Sequence, residues 1–508
     1  MRSAVLLLVL ATLGCATTKR ASRAAEFAPT PGRAGPLAEL EKNLQDALGA
    51  DRSGFKLLDV NEDALRWRLA LIDSAQHSLD LMTFLWWGDE AGDLILMRVI
   101  AAADRGVKVR LIVDDMTTID DGKKTTLRDV PNAAVNAHPN IELRVFNPWS
   151  NRGALGRAVE FVGDFTKLNQ RMHNKALIAD NHAAIMGGRN LGNEYMGLNP
   201  TFNFRDLDVL TVGHASRQIS SVFDRYWNSD WVRPQAELDA NGTLETLKVH
   251  REALLRQLQA ATTLERFPLE VQDWAKQLSA LEKELHPGTS RVITDTPDAD
   301  KVTHYLPEEV AQLWSSAKTE VLVTNAYLIP DEISFSRTQT NLQKDVRFVM
   351  LTNSLASTDA AGVHAHYTQW RPRMVAGGVE LYELKQDAAM RSQVADTHPV
   401  KSGFVGLHAK AMVIDRKRVL IGSMNLDPRS WVHNSEMVIL VECPELGAEL
   451  AQVIERDLKP ENAWKIELDA QGAVRWVAGT ETRHEAPARE EGQRFEESLN
   501  LLLPADLF

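Results

Sequence analysis

Short apolar runs alternate with longer segments of helical periodicity along most of the chain. Residues 77–87 (HSLDLMTFLWW) and 107–115 (VKVRLIVDD) predict buried strands, because they are short and strongly apolar. Between them, residues 92–106 carry apolar side chains at helical spacing and end at a glycine, which predicts a helix. A further strand is predicted at 141–148. This alternation of strands and helices indicates an α/β fold.

The second half of the chain repeats this order of elements. Strands are predicted at 319–330 and 345–354, a helix at 364–378 and another strand at 379–385. In each half the same polar motif follows the last of these strands. The repeat is therefore a whole domain, and we predict two similar α/β lobes, each a mixed β-sheet flanked by helices.

The segment between the two repeats has its apolar residues at helical spacing. We predict a first lobe over residues 51–234, a helical connector over 235–300 and a second lobe over 301–508. One interpretation of the connector is a membrane-docking or lid element. A connector packed on the lobes is favoured instead, because acidic residues are interspersed along it and no strongly basic face is present.

The N-terminus has the pattern of a secretory signal. A basic Arg2 precedes an apolar run from residue 4 to 13, which is too short to span a bilayer. The run ends at Gly14-Cys15, an ending that resembles a bacterial lipoprotein signal in which the cysteine becomes lipidated. We therefore predict a lipoprotein-type signal over residues 1–15, with lipid on Cys15. An ordinary cleaved signal and an uncleaved apolar anchor are the alternatives.

The next residues have the composition of a tether. Residues 16–50 are rich in Ala, Arg, Pro and Gly, with a short helix expected around 37–48. Ala16, rather than Asp, follows Cys15, and by the usual sorting pattern this argues against retention in an inner membrane. The expected location is the bacterial cell envelope, with the protein lipid-anchored, facing the periplasm, and the outer membrane favoured.

Charge and cysteine content narrow the expected partners. The 508 residues carry a formal net charge of -12, and an acidic chain repels nucleic acid unless a local basic channel compensates. We therefore expect no nucleic-acid partner. The hydrophobic fraction of 44% and the charged fraction of 25% are those of a globular protein. The two cysteines, Cys15 and Cys443, leave no disulfide framework if Cys15 carries lipid.

Two segments of the chain share their polar positions. Residues 172–190 read MHNKALIADNHAAIMGGRN, residues 407–425 read LHAKAMVIDRKRVLIGSMN, and the two align without a gap. The apolar residues between the shared positions vary freely, which is typical of a site rather than of shared composition. The shared positions pair His173 with His408, Lys175 with Lys410, Asp180 with Asp415, Gly187 with Gly422, Gly188 with Ser423, and Asn190 with Asn425.

The shared residue types suit a phosphate group. A histidine and a lysine two residues apart on a strand point to the same face. The ammonium and the amides of Asn190 and Asn425 can donate hydrogen bonds to phosphate oxygens, and Ser423 is a further candidate ligand. The glycines would allow the backbone to approach the ligand closely. No cluster of metal ligands lies beside the motifs in the sequence, so we expect neither a metal nor another cofactor.

Two such sets supply the two histidines that a double-displacement phosphodiesterase needs. One histidine would attack phosphorus, and the other would protonate the leaving oxygen and then deprotonate the incoming alcohol. The residues themselves do not decide which of His173 and His408 is the nucleophile. The lysines and asparagines would stabilise the charge that develops on the phosphate oxygens.

Each histidine needs a partner that fixes its tautomer. Glu436 lies on a predicted strand just after the second motif, and alignment of the apolar runs places Asp208 opposite it, with Asp206 as a competitor. We predict that Glu436 and Asp208 orient the histidines. The aspartates Asp180 and Asp415 belong to the catalytic motif, but they stand at predicted strand ends, where a structural role is favoured.

The double H-x-K-x4-D-x6-G-[GS]-x-N pattern resembles the phospholipase D superfamily. The segments LNQRMHNKALIADNHAAIMGGRNLGNEY, FDRYWNSDW, LTNSLASTDAAGVHAHY and IGSMNLDPRS are similar to bacterial cardiolipin synthases of the C type and their phospholipase D-like relatives. The resemblance extends from about residue 50 to the LNLLLP near the C-terminus. It implies two pseudo-symmetric lobes with the active site at their interface, and phosphatidyl transfer through a phosphohistidine. It also implies that His173 is the nucleophile and His408 the general acid and base.

The leading hypothesis is a phosphatidyltransferase that makes cardiolipin from phosphatidylglycerol and a second phospholipid, for which phosphatidylethanolamine is one candidate. The expected partners are therefore membrane phospholipids. The first alternative is a phospholipase D that uses water as the acceptor, since no motif sets the acceptor. The further alternatives are an endonuclease of the same superfamily, which the signal and the net charge disfavour, and a non-catalytic lipoprotein that binds lipid headgroups.

Overall fold

The computed structural model describes most of the chain, namely residues 23–49, 51–115, 129–149, 168–299, 301–502 and 504–505. The predicted signal with Cys15 and the first part of the predicted tether lie outside these residues. In the described part, no helix combines the length and the apolar character that a membrane span requires.

The strands of the first half belong mostly to one mixed sheet. They are, in chain order, β1 (Ser53–Leu58), β2 (Ser78–Thr83), β3 (Lys108–Asp114), β4 (Ile141–Phe146), β5 (Arg171–Met172), β6 (Ala176–Ala179), β7 (Ala183–Gly187), β8 (Phe202–Arg205), β9 (Asp208–Gly213) and β10 (Val232–Pro234). The order in space is β10-β4-β3-β2-β6-β7-β9-β1. The neighbours β2, β3 and β4 run parallel, and the other pairs are antiparallel.

The second half builds a matching sheet. Its strands are β11 (His286–Thr294), β12 (Thr296–Pro297), β13 (Val302–Thr303), β14 (Glu320–Asn325), β15 (Arg347–Asn353), β16 (Glu380–Leu384), β17 (Phe404–Leu407), β18 (Lys410–Ile414), β19 (Arg418–Gly422), β20 (Asn434–Ser435), β21 (Met437–Glu442), β22 (Ala463–Leu468), β23 (Val474–Ala478) and β24 (Glu481–Arg483). The order in space is β21-β19-β18-β14-β15-β16-β22-β23-β24. The predicted two-lobe α/β architecture is thus confirmed.

Helices cover both sheets. Those of the first half and the connector are Pro36–Leu48, Asn61–Ser74, Glu90–Asp104, Asp129–Asn136, Asn193–Met196, His214–Trp227, Gln235–Leu238, Leu244–Ala260 and Ala275–Glu284. Those of the second half are Leu306–Ser315, Glu332–Leu342, Ala361–Thr368, Arg371–Ala376, Pro428–Val432, Pro444–Asp457 and Glu491–Asn500, with a π-helical turn at Arg391–Ala395.

The two sheets are continuous with each other and share one core. Strand β11 pairs antiparallel with β1 on one side and with β21 on the other. One buried apolar cluster takes side chains from both lobes, including Ile178, Val349 and Val413. The prediction of a helical connector over 235–300 is wrong for residues 286–294. These residues instead form a strand, because their backbone completes the hydrogen bonding of both sheets.

The described part of the predicted tether is not free. The helix Pro36–Leu48 forms near the expected position, and it buries Leu37, Leu40 and Leu44 in the core of the first lobe. Ahead of it, the carbonyl oxygen of Pro29 accepts a hydrogen bond of 2.8 Å from Asn181. The tether prediction is therefore wrong for Pro36–Leu48, because leucines spaced three and four apart give this helix an apolar face that burial stabilises.

Candidate active site

Short parallel strand pairs that link the two lobes place the motif histidines. Strand β5 pairs with β20, and β8 pairs with β17. Beyond these pairs, the backbone N–H of His173 donates to the Ser435 carbonyl at 2.9 Å, and the N–H of His408 donates to the Arg205 carbonyl at 2.9 Å. Each histidine is thereby fixed beside a segment of the opposite lobe.

Each histidine contacts a buried carboxylate from the other lobe. The Nδ1 atom of His173 lies 2.9 Å from Oε2 of Glu436, and Nδ1 of His408 lies 2.6 Å from Oδ2 of Asp206. Both carboxylates are fully buried. Burial raises the pKa of Asp206, and it raises the pKa of Glu436 to about 7. In its ionised form each carboxylate only accepts hydrogen bonds, so the contact then favours the tautomer with a proton on Nδ1 and leaves the lone pair on Nε2. The predicted contact of Glu436 with a motif histidine is confirmed.

Asp208 does not contact a histidine, and the assignment of this residue as an orienting group is wrong. Its side chain is buried and accepts hydrogen bonds from Arg68 at 2.9 Å and from Arg189 at 3.0 Å. The strand register explains the error. Gly187 pairs with Asp208, whereas Gly422 pairs with Val438, so the counterpart of Glu436 is two residues before Asp208. That residue is Asp206.

The motif glycine in the first lobe makes room for a carboxylate rather than for a ligand. A Cβ atom on Gly188 would lie 2.2 Å from Oδ1 of Asp206, so no side chain fits there. Ser423 occupies the matching place in the second lobe, and its hydroxyl donates to Glu436 at 2.5 Å. Ser430 donates to the same carboxylate at 2.8 Å. Ser423 thus directs its hydroxyl proton to Glu436, and its predicted contact with the phosphate stays a prediction.

The motif aspartates hold the backbone and stand apart from the histidines. Asp180 accepts hydrogen bonds of 2.8–2.9 Å from the backbone N–H groups of residues 76–78, where β2 begins. Asp415 accepts bonds of 2.8–3.2 Å from the N–H groups of residues 318–320, where β14 begins. Both contacts fix the start of the strand that pairs with the motif strand. This agrees with the structural role favoured from the sequence and not with a catalytic one.

The two lysines are buried with their ammonium groups near the histidines. Lys175 Nζ donates to the His173 carbonyl at 2.5 Å, and Lys410 Nζ donates to the His408 carbonyl at 2.6 Å. Burial, the largest cause, lowers the pKa of Lys410 to about 8 and holds the pKa of Lys175 well below its usual range. Repulsion between the two ammonium groups contributes at Lys175. An anion bound between the two ammonium groups would favour their charged forms and so raise the pKa of both lysines.

Both lysines affect the pKa of each histidine. Burial holds the pKa of His173 and of His408 well below the usual range, and the charges of Lys175 and Lys410 lower it further at each ring. His173 also lowers the pKa of His408. The two motifs form a single site, because Nδ1 of His173 also lies 3.0 Å from the carbonyl oxygen of Ser423 in the second motif. In the described part of the chain, all recorded hydrogen bonds of the two rings are made at Nδ1.

The two motif asparagines differ in their pairing. Oδ1 of Asn190 accepts a hydrogen bond of 3.2 Å from the N–H of Leu85. Oδ1 of Asn425 is buried without a hydrogen-bond partner among the described residues. Buried polar groups are normally paired, so the unpaired Oδ1 of this motif residue fits a side chain that binds a ligand. Rotation of the amide would present its N–H group to a phosphate oxygen.

Aromatic rings, which motif spacing did not reveal, form the walls of the site. The ring of Phe84 lies 5.0 Å from that of His173, and the ring of Tyr195 lies 5.1 Å from that of His408. Tyr327 lies 5.6 Å from the Lys410 ammonium. Phe84 directly follows β2, and Tyr327 lies two residues after β14. The register of the repeat matches Phe84 with Ala326, so the repeat gives no signal for these two rings.

Two similar halves that each bring one histidine and one lysine to a shared buried site define a phospholipase D-type enzyme. A family model described as "Cardiolipin synthase, PLD-like domain" matches residues 69–227 and 310–458, which is more than half of the chain. The chain therefore belongs to this family of the phospholipase D superfamily.

Individual relatives extend the similarity over most of the chain. Cardiolipin synthase C of Escherichia coli K12 is 33% identical over 447 residues, which cover 84% of this chain and 88% of the relative. Cardiolipin synthase 1 of Bacillus anthracis is 24% identical over 434 residues, 85% of this chain and 71% of the relative. The crystal structure of phosphatidylserine synthase from Haemophilus influenzae Rd KW20 matches with a TM-score of 0.58 and 13% identity, covering 92% of this chain and 97% of that one. It supports the fold.

Proposed function

We propose that this protein is a phosphatidyltransferase that forms cardiolipin from phosphatidylglycerol and a second phospholipid. The observation that carries the proposal is the crossed pairing of two buried histidines with carboxylates, His173 with Glu436 and His408 with Asp206. The family to which the chain belongs, and the cardiolipin synthases among its relatives, support phospholipids over other phosphodiesters as substrates.

In the first step His173 acts as the nucleophile. Glu436 holds the proton on Nδ1, so the lone pair of Nε2 attacks the phosphorus of phosphatidylglycerol. His408 enters this step as the imidazolium, which Asp206 and the bound phosphate anion stabilise. The bond between phosphorus and the headgroup oxygen breaks, and His408 donates its Nε2 proton to that oxygen and becomes neutral. The products are phosphatidyl-His173 and free glycerol. The choice of His173 over His408 rests on the family resemblance, since carboxylates hold both rings in the same way.

In the second step His408 acts as the base instead of the acid. His408, now neutral, takes the proton of the headgroup hydroxyl of another phosphatidylglycerol. The oxygen attacks phosphorus, the phosphorus–nitrogen bond breaks, and cardiolipin leaves with His173 restored. With phosphatidylethanolamine as the donor, ethanolamine would leave in the first step instead of glycerol. With water as the acceptor, the product would be phosphatidic acid, which is the phospholipase D alternative.

The lysines supply the charge that both steps need. Negative charge grows on the phosphate oxygens in each transition state, and Lys175 and Lys410 are positioned beside both histidines. Their burial strengthens the interaction, because few water molecules screen it. The amide of Asn425 is a further donor for the same oxygens.

The experiment is a product analysis. Purified protein is incubated with isotope-labelled phosphatidylglycerol, with and without phosphatidylethanolamine, and the lipids are separated. Cardiolipin with release of glycerol is expected from phosphatidylglycerol alone. Phosphatidic acid as the sole product would replace the transferase with the hydrolase. If neither lipid forms, while wild-type protein cleaves DNA or merely retains lipid, the proposal is wrong in favour of a nuclease or of a binding protein.

A further inference from the structure

A deep apolar cavity of about 480 Å³ lies in the second lobe, outside the catalytic residues. It is enclosed by the helices Leu306–Ser315, Glu332–Leu342 and Pro428–Val432. Its volume is within the range of about 300–1,000 Å³ that small-molecule sites occupy. Most of the lining is apolar, and its charged side chains already have partners. Arg337 and Glu308 form an ion pair of 3.1 Å, and Asp331 accepts a hydrogen bond of 2.7 Å from the N–H of Ser334. The cavity therefore suits an apolar ligand.

The pseudo-symmetry of the lobes shows that this space is a feature of the second lobe. Leu328 forms an isolated bridge with Leu426, and at the matching place in the first lobe Trp86 bridges Leu191. The larger Trp86 packs against the core of the first lobe, whereas Leu328 lines the cavity. A leucine where the other lobe has a tryptophan leaves room.

The helix after this bridge also fills less space in the second lobe than its counterpart does in the first. In the first lobe, Glu90–Asp104 buries Leu94, Ile95 and Val99 among other apolar residues. In the second lobe, the buried residues of Glu332–Leu342 are polar, Thr338 and Asn341. The first lobe thus fills its helix layer with its own side chains, while the second lobe leaves a gap that an external apolar group could occupy.

The cavity opens to the outside through an apolar rim. Ile333 is 63% exposed and Val432 is 54% exposed, and both line the cavity. Large apolar side chains grouped at the mouth of an apolar cavity are typical of a site for an apolar ligand or a lipid surface.

The inner end of the cavity reaches the second motif. Met424 and Leu426 line it, and they flank the motif residue Asn425 on either side. The same two residues, together with Val310, also line a smaller void against Lys410. A chain that fills the cavity would therefore end within one residue layer of the side chains assigned to the phosphate.

We propose that this cavity binds a fatty acyl chain of the phospholipid whose phosphate is held at the two motifs. The inference rests on the proposed function, and it adds where the apolar part of the substrate lies. An acyl chain drawn out of the lipid surface would otherwise face water, so its methylene groups gain affinity by entering the cavity through the exposed rim. A phosphodiester without acyl chains would gain nothing there.

The test fills the cavity and leaves the chemistry untouched. Ala311 lines the cavity, and Gln312 on the same helix is exposed and does not. Ala311→Phe is compared with Gln312→Phe as the matched control. The substrates are dioleoyl phosphatidylglycerol, dihexanoyl phosphatidylglycerol and bis(p-nitrophenyl) phosphate, with both lipids in the same detergent micelles.

We expect Ala311→Phe to lower kcat/KM for the dioleoyl lipid by about tenfold, because the ring displaces several buried methylene groups. The loss should be smaller for the dihexanoyl lipid and absent for bis(p-nitrophenyl) phosphate. Gln312→Phe should match the wild type on all substrates. Unchanged selectivity between the lipids in a variant that still cleaves bis(p-nitrophenyl) phosphate would overturn the proposal.

A second measurement does not depend on any variant. Phosphatidylglycerol with a photoactivatable diazirine near the methyl end of one chain is crosslinked to the wild-type protein, and labelled peptides are identified by mass spectrometry. Label in 306–315 or 332–342 is expected. Label elsewhere contradicts the cavity assignment even when the enzyme forms cardiolipin. Absence of both cardiolipin and phosphatidic acid contradicts the proposed function instead, and the crosslink still reports on the cavity.

Discussion

Nδ1 of His408 lies 2.6 Å from Oδ2 of Asp206, and the two residues come from different lobes. The reciprocal pair, His173 with Glu436, crosses the interface in the opposite direction. Neither lobe therefore supplies the carboxylate partner of its own motif histidine. The active site exists only when the lobes are assembled, and the shared apolar core stabilises that assembly.

The crossed pairing predicts the effect of changing each carboxylate. Asp206→Asn removes the acceptor that fixes the tautomer of His408, so kcat should fall by about 10³–10⁴-fold while the protein stays folded. Glu436→Gln should act in the same way through His173. The measurement is kcat for cardiolipin formation together with the thermal unfolding temperature. Retention of more than about a tenth of wild-type kcat would contradict an orienting role.

Asp208 is the matched control for these variants. Its carboxylate is shared by the buried Arg68 and Arg189, so Asp208→Asn leaves these guanidinium groups without a counter-charge. We expect a loss of about 3–5 kcal/mol in the free energy of unfolding, because an uncompensated charge would stay buried. The kcat of the folded fraction should remain near that of the wild type. Denaturant unfolding and activity at low temperature check the two parts separately.

The buried lysines predict an unusual alkaline limit. The pKa of Lys410 is lowered to about 8 by burial, so the free enzyme loses this positive charge as the pH rises through about 8. Substrate binding needs the charge, and kcat/KM should therefore fall above that pH. A bound phosphate stabilises the ammonium form and raises its pKa, so the decline in kcat should occur at higher pH than the decline in kcat/KM.

Profiles of both constants against pH, measured in detergent micelles of fixed composition, test this. Lys410→Arg keeps its charge over the whole range and should weaken the decline in kcat/KM if it retains turnover. Declines of kcat and kcat/KM at the same pH in the wild type would show that the lysines are not linked to phosphate binding.

Positive charge from the lysines also predicts activity without a divalent metal. Lys175 and Lys410 occupy the place beside both histidines that a metal would need, so turnover should persist in a chelator. The measurement is cardiolipin formation in EDTA, with neutral detergent as the matrix so that cations do not alter lipid packing. Loss of turnover that a divalent cation restores would contradict the lysine assignment.

The predicted lipid on Cys15 has a direct measurement. Multiple acyl chains on that cysteine would give stable membrane attachment, whereas a single chain binds only marginally. Mass spectrometry of the mature N-terminus from a bacterial host should show a diacylglyceryl-modified Cys15. An unmodified terminus at another residue would reject the lipoprotein assignment, and Cys15→Ser should release the protein from the membrane fraction.

The sequence predicted the two lobes and both motifs well, because a repeated polar pattern at fixed spacing is a local property. It misplaced one orienting carboxylate. Asp206 lies between β8 and β9, and Asp208 is the first residue of β9. Both are fully buried and they stand two residues apart, so neither periodicity nor burial distinguishes them. Only the strand register, in which Gly187 meets Asp208, separates them.

The crossing of the pairs could not be predicted, since it depends on contacts between segments more than two hundred residues apart in sequence. For the helix Pro36–Leu48, by contrast, the sequence did carry a signal in the spacing of its leucines. Their spacing was visible, but the composition around them indicated a free tether, and only tertiary packing decides whether such a face is buried.

The central claim is that His173 carries the phosphatidyl group while His408 manages the proton. Its most direct test uses His408→Gln with phosphatidyl-p-nitrophenol, whose leaving group needs no acid. A stoichiometric burst of p-nitrophenol should leave a phosphatidyl adduct on His173, found by mass spectrometry of the quenched protein, with His173→Gln giving no burst. An adduct on His408 in the wild type, or steady turnover by His408→Gln without any adduct, would contradict the account.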